Sequence, residues 1–269
     1  MSSPRSLLLL ALAVCVCLVS CSNTAEKADR AKPGTPAYFW QQAQAAWEKD
    51  DFLATASNLD KLTARENEYR QRAQIWLMAI HAGFAKGDMD WADSLEKGRK
   101  LSRTGEAAFR REIAAARSSA SQSVMSYLEL ANQHLSEGVP EEPVVPFTAA
   151  PAAPRPVEIN KMEKGAVPPQ SEMELIRSRL RAQAVSDSTK ALLPEGGPVN
   201  RNQYLAALAD EMISLCDLYS SKRLNESGRV RMITQVAGHA VENMTPCEKS
   251  KELRKKIDAL QKNPTKPLS

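Results

Sequence analysis

The stretch IWLMAIHAGFAKGDMDWADSL (75–95) decides how this chain folds. Its first half carries Trp76, Ala79, Ile80 and Gly83 at steps of three and four, the period of one helix face. Gly87-Asp88 follows, a dipeptide with the chemistry of a turn, and helical period resumes at Leu95 and Leu101. The spacing predicts a helix, a turn within AKGDMDWA (85–92) and a second helix folding back on the first. The preceding segment has the same form: Trp40, Ala43 and Trp47, a break at EKDD (48–51), then Phe52, Ala56, Leu59 and Leu62. Thr35-Pro36 ahead of it is a helix start, a capping residue followed by proline at the first helical position.

Working outward, Phe109, Ile113, Ala116, Ala120, Val124, Tyr127, Ala131 and Leu135 form one apolar stripe, predicting a long helix over 106–137. Composition then shifts, because residues 139–170 hold eight of the 16 prolines. Proline forbids helix and favours extended chain, so 139–170 reads as a linker. Its apolar Val144, Val145 and Phe147 also fit a strap lying over the first unit's groove. Beyond it, Ser171 with Glu174 and Thr245 with Glu248 fit capping boxes, and Asn200 opens another helix. Stripes follow at Leu205, Leu208, Met212, Leu215, Cys216 and Tyr219, at Val230, Ile233, Ala237, Ala240 and Met244, and at Leu253, Ile257 and Leu260. No apolar–polar alternation exceeds four residues, so the fold class is all-α.

The pattern W-x2-A-I-x2-G…K-G-D-M-D-W-A resembles the tetratricopeptide repeat, in which two antiparallel helices meet at a glycine-containing turn. On that resemblance Trp76 takes the early aromatic place, Ile80 the close-packing place, Gly87 the turn glycine, Met89 the apolar residue after it and Ala92 the small residue of the second helix. Trp40 and Ala56 take the corresponding places in the first pair, where Asp50 or Asp51 stands at the glycine position. The resemblance implies a short array of helical hairpins over 36–138, closed by the long helix. It also implies a concave surface for a segment of another protein, with Trp91, Trp47 and Trp40 as aromatic anchors.

Residues 1–20 have the form of an export signal, Arg5 followed by an apolar run from Leu7 to Val19. That run is shorter than the roughly 20 residues a spanning helix needs. The ending Leu18-Val19-Ser20-Cys21 resembles the lipobox of bacterial lipoproteins, in which the thiol is acylated and the cysteine becomes residue one. Val14 and Val16, before Cys15 and Cys17, are too bulky for that motif. The resemblance implies a membrane anchor at Cys21, and Ser22 in place of Asp implies an outer membrane, facing the periplasm. Residues 21–35, polar with Pro33 and Gly34, read as a tether. After processing, Cys216 and Cys247 remain as an even pair in an oxidising compartment, predicting a disulfide within a small C-terminal helical bundle over 171–263; two buried free thiols are the alternative.

Composition excludes a strong pull toward nucleic acid. The net charge of +4 falls to +3 once Arg5 leaves with the leader. Lysines and arginines gather in EKSKELRKK (248–256), a solvated face or a contact for anionic headgroups or an acidic partner. His81, His134 and His239 stand far apart, in no ligand or triad spacing, and Cys216 and Cys247 lack a metal-site neighbour. EGGPVN (195–200) is a turn, not a phosphate loop, and His81 and His239 sit beside core stripes. Glu66 with Glu68 and Asp88 with Asp90 read as capping or solvated acids. The sequence therefore points to no catalytic residue, metal or cofactor. Its reading is a lipid-anchored envelope protein that binds another envelope protein as adaptor or assembly factor. The alternatives are a structural spacer, a periplasmic binding component, or an enzyme or enzyme cofactor acting on the cell wall.

Overall fold

The computed structural model describes residues 31–140, 143, 156–192, 201–220 and 246–262. The lipobox at Cys21, His239, the helix expected over 230–244 and the side chain of Cys247 lie outside the described residues. The regular structure described is entirely helical. Helix α1 (Pro36–Trp47) begins as its sequence dictates, with Pro36 in the first turn and the Thr35 hydroxyl accepting from Tyr38 N. Helix α2 (Phe52–Thr63) is capped by Asp51, whose Oδ1 accepts from Ala54 N at 3.0 Å. Between them Asp50 takes φ +57°, left-handed backbone that aspartate tolerates better than most side chains. The first hairpin thus forms at the expected break.

The second does not. Helix α3 (Arg70–Leu101) runs 32 residues without interruption through 85–92. Gly87 and Asp88 lie in its interior, so the turn read there, and with it the second repeat, is corrected. The reason is tertiary. Twenty of the 32 residues are buried, eight of them consecutive from Ala73 to Ile80, so α3 is covered on nearly every side. A helix covered that way is a central element and not one arm of a surface hairpin.

Helix α4 (Glu106–Glu137) has the bounds its stripe predicts and returns antiparallel to α3. The α3–α4 connection is fixed by Ser102 Oγ accepting from Gly105 N at 2.9 Å. Each long helix spans about 48 Å. The α1–α2 hairpin packs on the first half of α3 through an aromatic block. Trp40 and Trp47 stack on Trp76 with ring centroids 5.1 and 5.3 Å apart, and Tyr69 stacks on Trp40.

The segment 156–169, expected to link two units, lies against α3. It holds the short helix α5 (Ile159–Glu163), whose Ile159 and Met162 are buried with Trp91, Leu95, Phe109 and Ile113. Ser94 and Lys97 of α3 donate to Glu163 at 2.9 and 3.2 Å. Helix α6 (Gln170–Leu192) then runs along α3 in the opposite sense. It was expected to open a separate C-terminal bundle, yet it packs into the first unit. Glycines permit this. A Cβ on Gly83 would overlap the Val185 backbone, and one on Gly87 would stand 2.7 Å from Arg181 Cα. Helix α7 (Arg201–Ser220) buries the predicted Leu205, Leu208, Met212, Leu215, Cys216 and Tyr219, and α8 (Pro246–Lys262) packs beside it through Ile257 and an Arg254–Asp210 bond of 2.8 Å.

Gly87→Ala separates a turn or spacious helix from this contact by sign. Where space exists, the change stabilises a helix by about 1 kcal/mol. Here we expect a loss of about 1–3 kcal/mol, the usual cost of overpacking, in a urea-unfolding curve. A gain in stability would contradict the packing.

Candidate functional site

The four tryptophans provide no surface. Trp40 and Trp47 are 7% exposed and Trp91 1%, so the anchors expected at Trp40, Trp47 and Trp91 are core residues, a correction to the sequence reading. Trp40 and Trp47 fill the space between α1 and α3, and Trp91 packs under α5 and α6. Cys216 is buried on α7 and disulfide-bonded. Among the described residues no three His, Cys, Asp or Glu side chains gather as a metal site, and no helix is long and apolar enough to cross a membrane.

Two polar clusters stand out instead. In the first, Asp88 is fully buried and receives two guanidinium groups, Arg177 Nε at 2.7 Å and Arg181 Nη2 at 2.7 Å, each arginine also bonding its other oxygen. Arg181 also donates to Ser119 Oγ at 2.9 Å and lies over the Phe84 ring. Burial alone would raise the Asp88 carboxyl. The bonds from Arg177 and Arg181 outweigh it and hold the group below its ordinary value. The cluster joins α3, α4 and α6 and belongs to the scaffold.

Its energetics are asymmetric. Asp88→Asn leaves two guanidinium groups facing an uncharged amide, and we expect a loss of about 3–5 kcal/mol. Arg177→Met leaves the Arg181–Asp88 pair intact and should cost clearly less. Chemical denaturation of both variants checks the order, and equal losses would contradict the shared-carboxylate arrangement.

The second cluster lies where the start of α3 meets the end of α4. Arg70 stands in the first turn of α3 and Glu137 in the last turn of α4, each at the helix end its charge disfavours. They resolve the conflict by pairing, Arg70 Nη2 donating to Glu137 Oε1 at 2.6 Å. The other Glu137 oxygen accepts from Gln74 Nε2 at 3.1 Å. Gln74 therefore turns its carbonyl oxygen toward His134 Nδ1, 3.0 Å away. An amide oxygen only accepts, so Nδ1 carries the proton and Nε2 is left with a lone pair.

His134 is fully buried, and its Nε2 has no hydrogen-bond partner among the described residues. Burial pushes its pKa down to about 4, against a smaller upward pull from Glu137, so the ring is neutral at pH 7. Its ring makes a T-shaped contact with Tyr204 of α7, the ring centroids 5.8 Å apart. The Tyr127 and Tyr204 hydroxyls nearby are likewise buried without a partner among the described residues, and burial raises both above the usual tyrosine value.

His134 also borders a cleft of about 280 Å³. One wall is the α2–α3 turn with Glu66, Asn67 and Glu68; another is the first two turns of α3 with Gln71, Arg72 and Ile75; Pro140 and Pro143 complete it. Glu66 is exposed, and burial together with the Glu68 carboxylate raises the Tyr69 hydroxyl. The turn itself is held by Asn67, whose amide donates to Leu62 O at 2.7 Å and whose Oδ1 accepts from Tyr69 N. Glu66 and Glu68, read from sequence as solvated acids, thus rim a cleft that His134 also lines, and Glu66 pairs with Arg70 Nη1 at 3.4 Å. Sequence reading missed Gln74, His134 and Glu137 here; the available signal was polar residues interrupting buried helix faces. Comparison with protein-family models, curated proteins and solved structures gives no match.

The sign of the pH effect follows from the depressed values. His134 and His81 both have folded pKa values lowered by burial from 6.5 to about 4. The unfolded chain therefore binds more protons between these limits. The stability they support is present above pH 6.5 and is lost as pH falls toward 4, by up to ~1.4 kcal/mol per pH unit for each. Long-range 1H–15N spectra of the imidazoles should show His134 protonated at Nδ1 and untitrated down to about pH 5. An Nε2-protonated ring, or titration near 6.5, would contradict the relay.

Proposed function

We propose that this protein is a bacterial envelope lipoprotein, a helical body held at a membrane by lipid on Cys21 that acts without catalysis as an adaptor or assembly factor. The observation that carries the reading is the leader ending in Leu18-Val19-Ser20-Cys21. A single acyl chain binds a bilayer reversibly, whereas two or three hold it stably. The tether from Cys21 to Thr35 ends where α1 is capped, so the body stands within about 50 Å of the anchor. Ser22 after the anchor favours the outer membrane, periplasmic side. The partner surface in this reading is the cleft beside His134, in place of a groove lined by tryptophan. Its small polar form fits the end of a chain better than a long apolar segment, which also keeps a periplasmic binding component in view as a second reading. For the Cys216 disulfide we assign Cys247 as partner, supported by the packing of α8 on α7 and by the even cysteine count after processing.

Cys21→Ser should move the protein from the membrane pellet to the soluble fraction after cell lysis. Retention in the pellet would sink the anchor.

A further inference from the structure

Five large apolar side chains stand exposed among the described residues, and four of them, Leu101, Val157, Val167 and Leu175, gather around α5 and the helix ends beside it. One exposed leucine needs no explanation, whereas a cluster on one side of a molecule does. Gly165, just after α5, lies against the Leu101 backbone, and a Cβ on Gly105 would overlap Val167 Cγ2. The α3–α4 connection and the α5–α6 connection therefore share one surface. At the other end of α5, Glu158 faces Arg179 of α6 at 3.9 Å, one turn beyond Leu175. Val157 is 75% exposed and Leu101 63%. Side chains as bare as these project from the surface and do not line a groove.

The charges between them are unbalanced. Helix α5 buries Ile159 and Met162 and leaves Lys161 and Lys164 exposed, and Lys100 and Arg103 are exposed beside Leu101. None of these four cations makes a salt bridge among the described residues. Lys100 has only the longer-range pull of Glu96, whose two oxygens both bond Arg99. The neighbouring acids are spent on other partners: Glu163 on Lys97 at 3.2 Å, and Glu106 on Arg99 and Arg110 at 3.0 and 2.7 Å. Glu172 and Glu174 stand in the first two turns of α6, where the positive end of the helix dipole offsets part of their charge. The face is apolar in relief and positive in charge.

We propose that the face around α5 rests on an anionic phospholipid surface, that of the membrane to which Cys21 tethers the chain. Leu101, Val157 and Val167 enter the boundary between headgroups and acyl chains, and the four free cations meet lipid phosphates. A protein partner would need a pocket shaped for each projecting side chain, whereas a fluid bilayer needs none. The identity of the membrane rests on the lipoprotein reading; the affinity for anionic lipid does not. Each cation contributes about fivefold, so the contact alone is weak and yields to salt. The tether makes it intramolecular and so effective. Its reach suffices, because the α1–α2 hairpin packs at Trp76, and Trp76 to Gly98 covers about 33 Å of α3. The face orients the body and leaves the cleft at the opposite end of α3 open to a partner.

The test uses the full mature chain carrying Cys21→Ser, so that no lipid anchor contributes. It is sedimented with vesicles of phosphatidylcholine, and with vesicles of phosphatidylcholine and phosphatidylglycerol in equal parts. We expect binding to the anionic vesicles at low salt, none to the neutral ones, and release at ~0.5 M salt. The triple variant Lys100→Gln, Arg103→Gln, Lys164→Gln should bind about a hundredfold more weakly, and Leu101→Ser with Val157→Ser about tenfold. All five side chains are exposed, so both variants should unfold thermally as the parent does. An environment-sensitive dye locates the contact. On Val157→Cys its emission should shift to the blue when anionic vesicles are added; on Leu53→Cys, the exposed leucine of the α1–α2 hairpin, it should not. Equal binding to neutral vesicles, undiminished binding of the triple variant, or a shift at residue 53 alone overturns the proposal. Binding to polyglutamate with none to vesicles gives the face to an acidic protein and overturns it too. None of these results bears on the lipid at Cys21, which is read from the pellet of a high-salt lysate, where the face contributes nothing.

Discussion

The contact of α6 on α3 at Gly83 and Gly87 governs the rest of this structure. Two residues without side chains, four apart on one helix, let a second backbone approach closer than any Cβ would permit. Once α6 is seated there, Arg177 and Arg181 reach Asp88, and a carboxylate otherwise too costly to bury is fully paired. The same seating carries α5 across Gly98, where the Met162 carbonyl meets the glycine directly. Segments that composition alone would leave as a linker and a separate bundle become part of one packed body.

A consequence appears at the other end of the molecule. Because α3 is uninterrupted, its first turn lies beside the last turn of α4, and Arg70, Gln74, His134 and Glu137 meet. Had the chain turned at residues 85–92, these four would have no reason to converge. The continuity of one helix thus sets the tautomer of a histidine and the polarity of the cleft it borders. Helix α7 completes the arrangement by placing Tyr204 on the same histidine and Glu211 on Lys86 at 2.6 Å.

Much of the fold was legible in the sequence for local reasons. Thr35-Pro36 caps and starts α1, Asp51 caps α2, and the stripe from Phe109 to Ala131 delimits α4 because one face alone is buried there. Gly87-Asp88 misled because a turn and a helix–helix contact ask for the same residues: a glycine that makes room and an acid that accepts hydrogen bonds. What distinguishes them, the arginines at 177 and 181, lies about ninety residues downstream. The run IWLMAI was the local counter-signal, since a helix apolar on successive positions is enclosed on all sides. The tryptophans were misplaced for a related reason, as repeat-like spacing fixes a helix face without fixing what covers it. The polar site was least legible, because no spacing in the sequence pairs residues 70 and 74 with 134 and 137.

The uninterrupted α3 is the central claim, and a distance tests it most directly. Spin labels placed at the exposed positions Arg72 and Lys97, read by pulsed dipolar spectroscopy in the full mature protein, lie 25 residues apart on one straight helix. The account predicts a single separation of about 38 Å. A hairpin turning at 85–92 would bring the labels to about 15 Å, and that result would contradict the account.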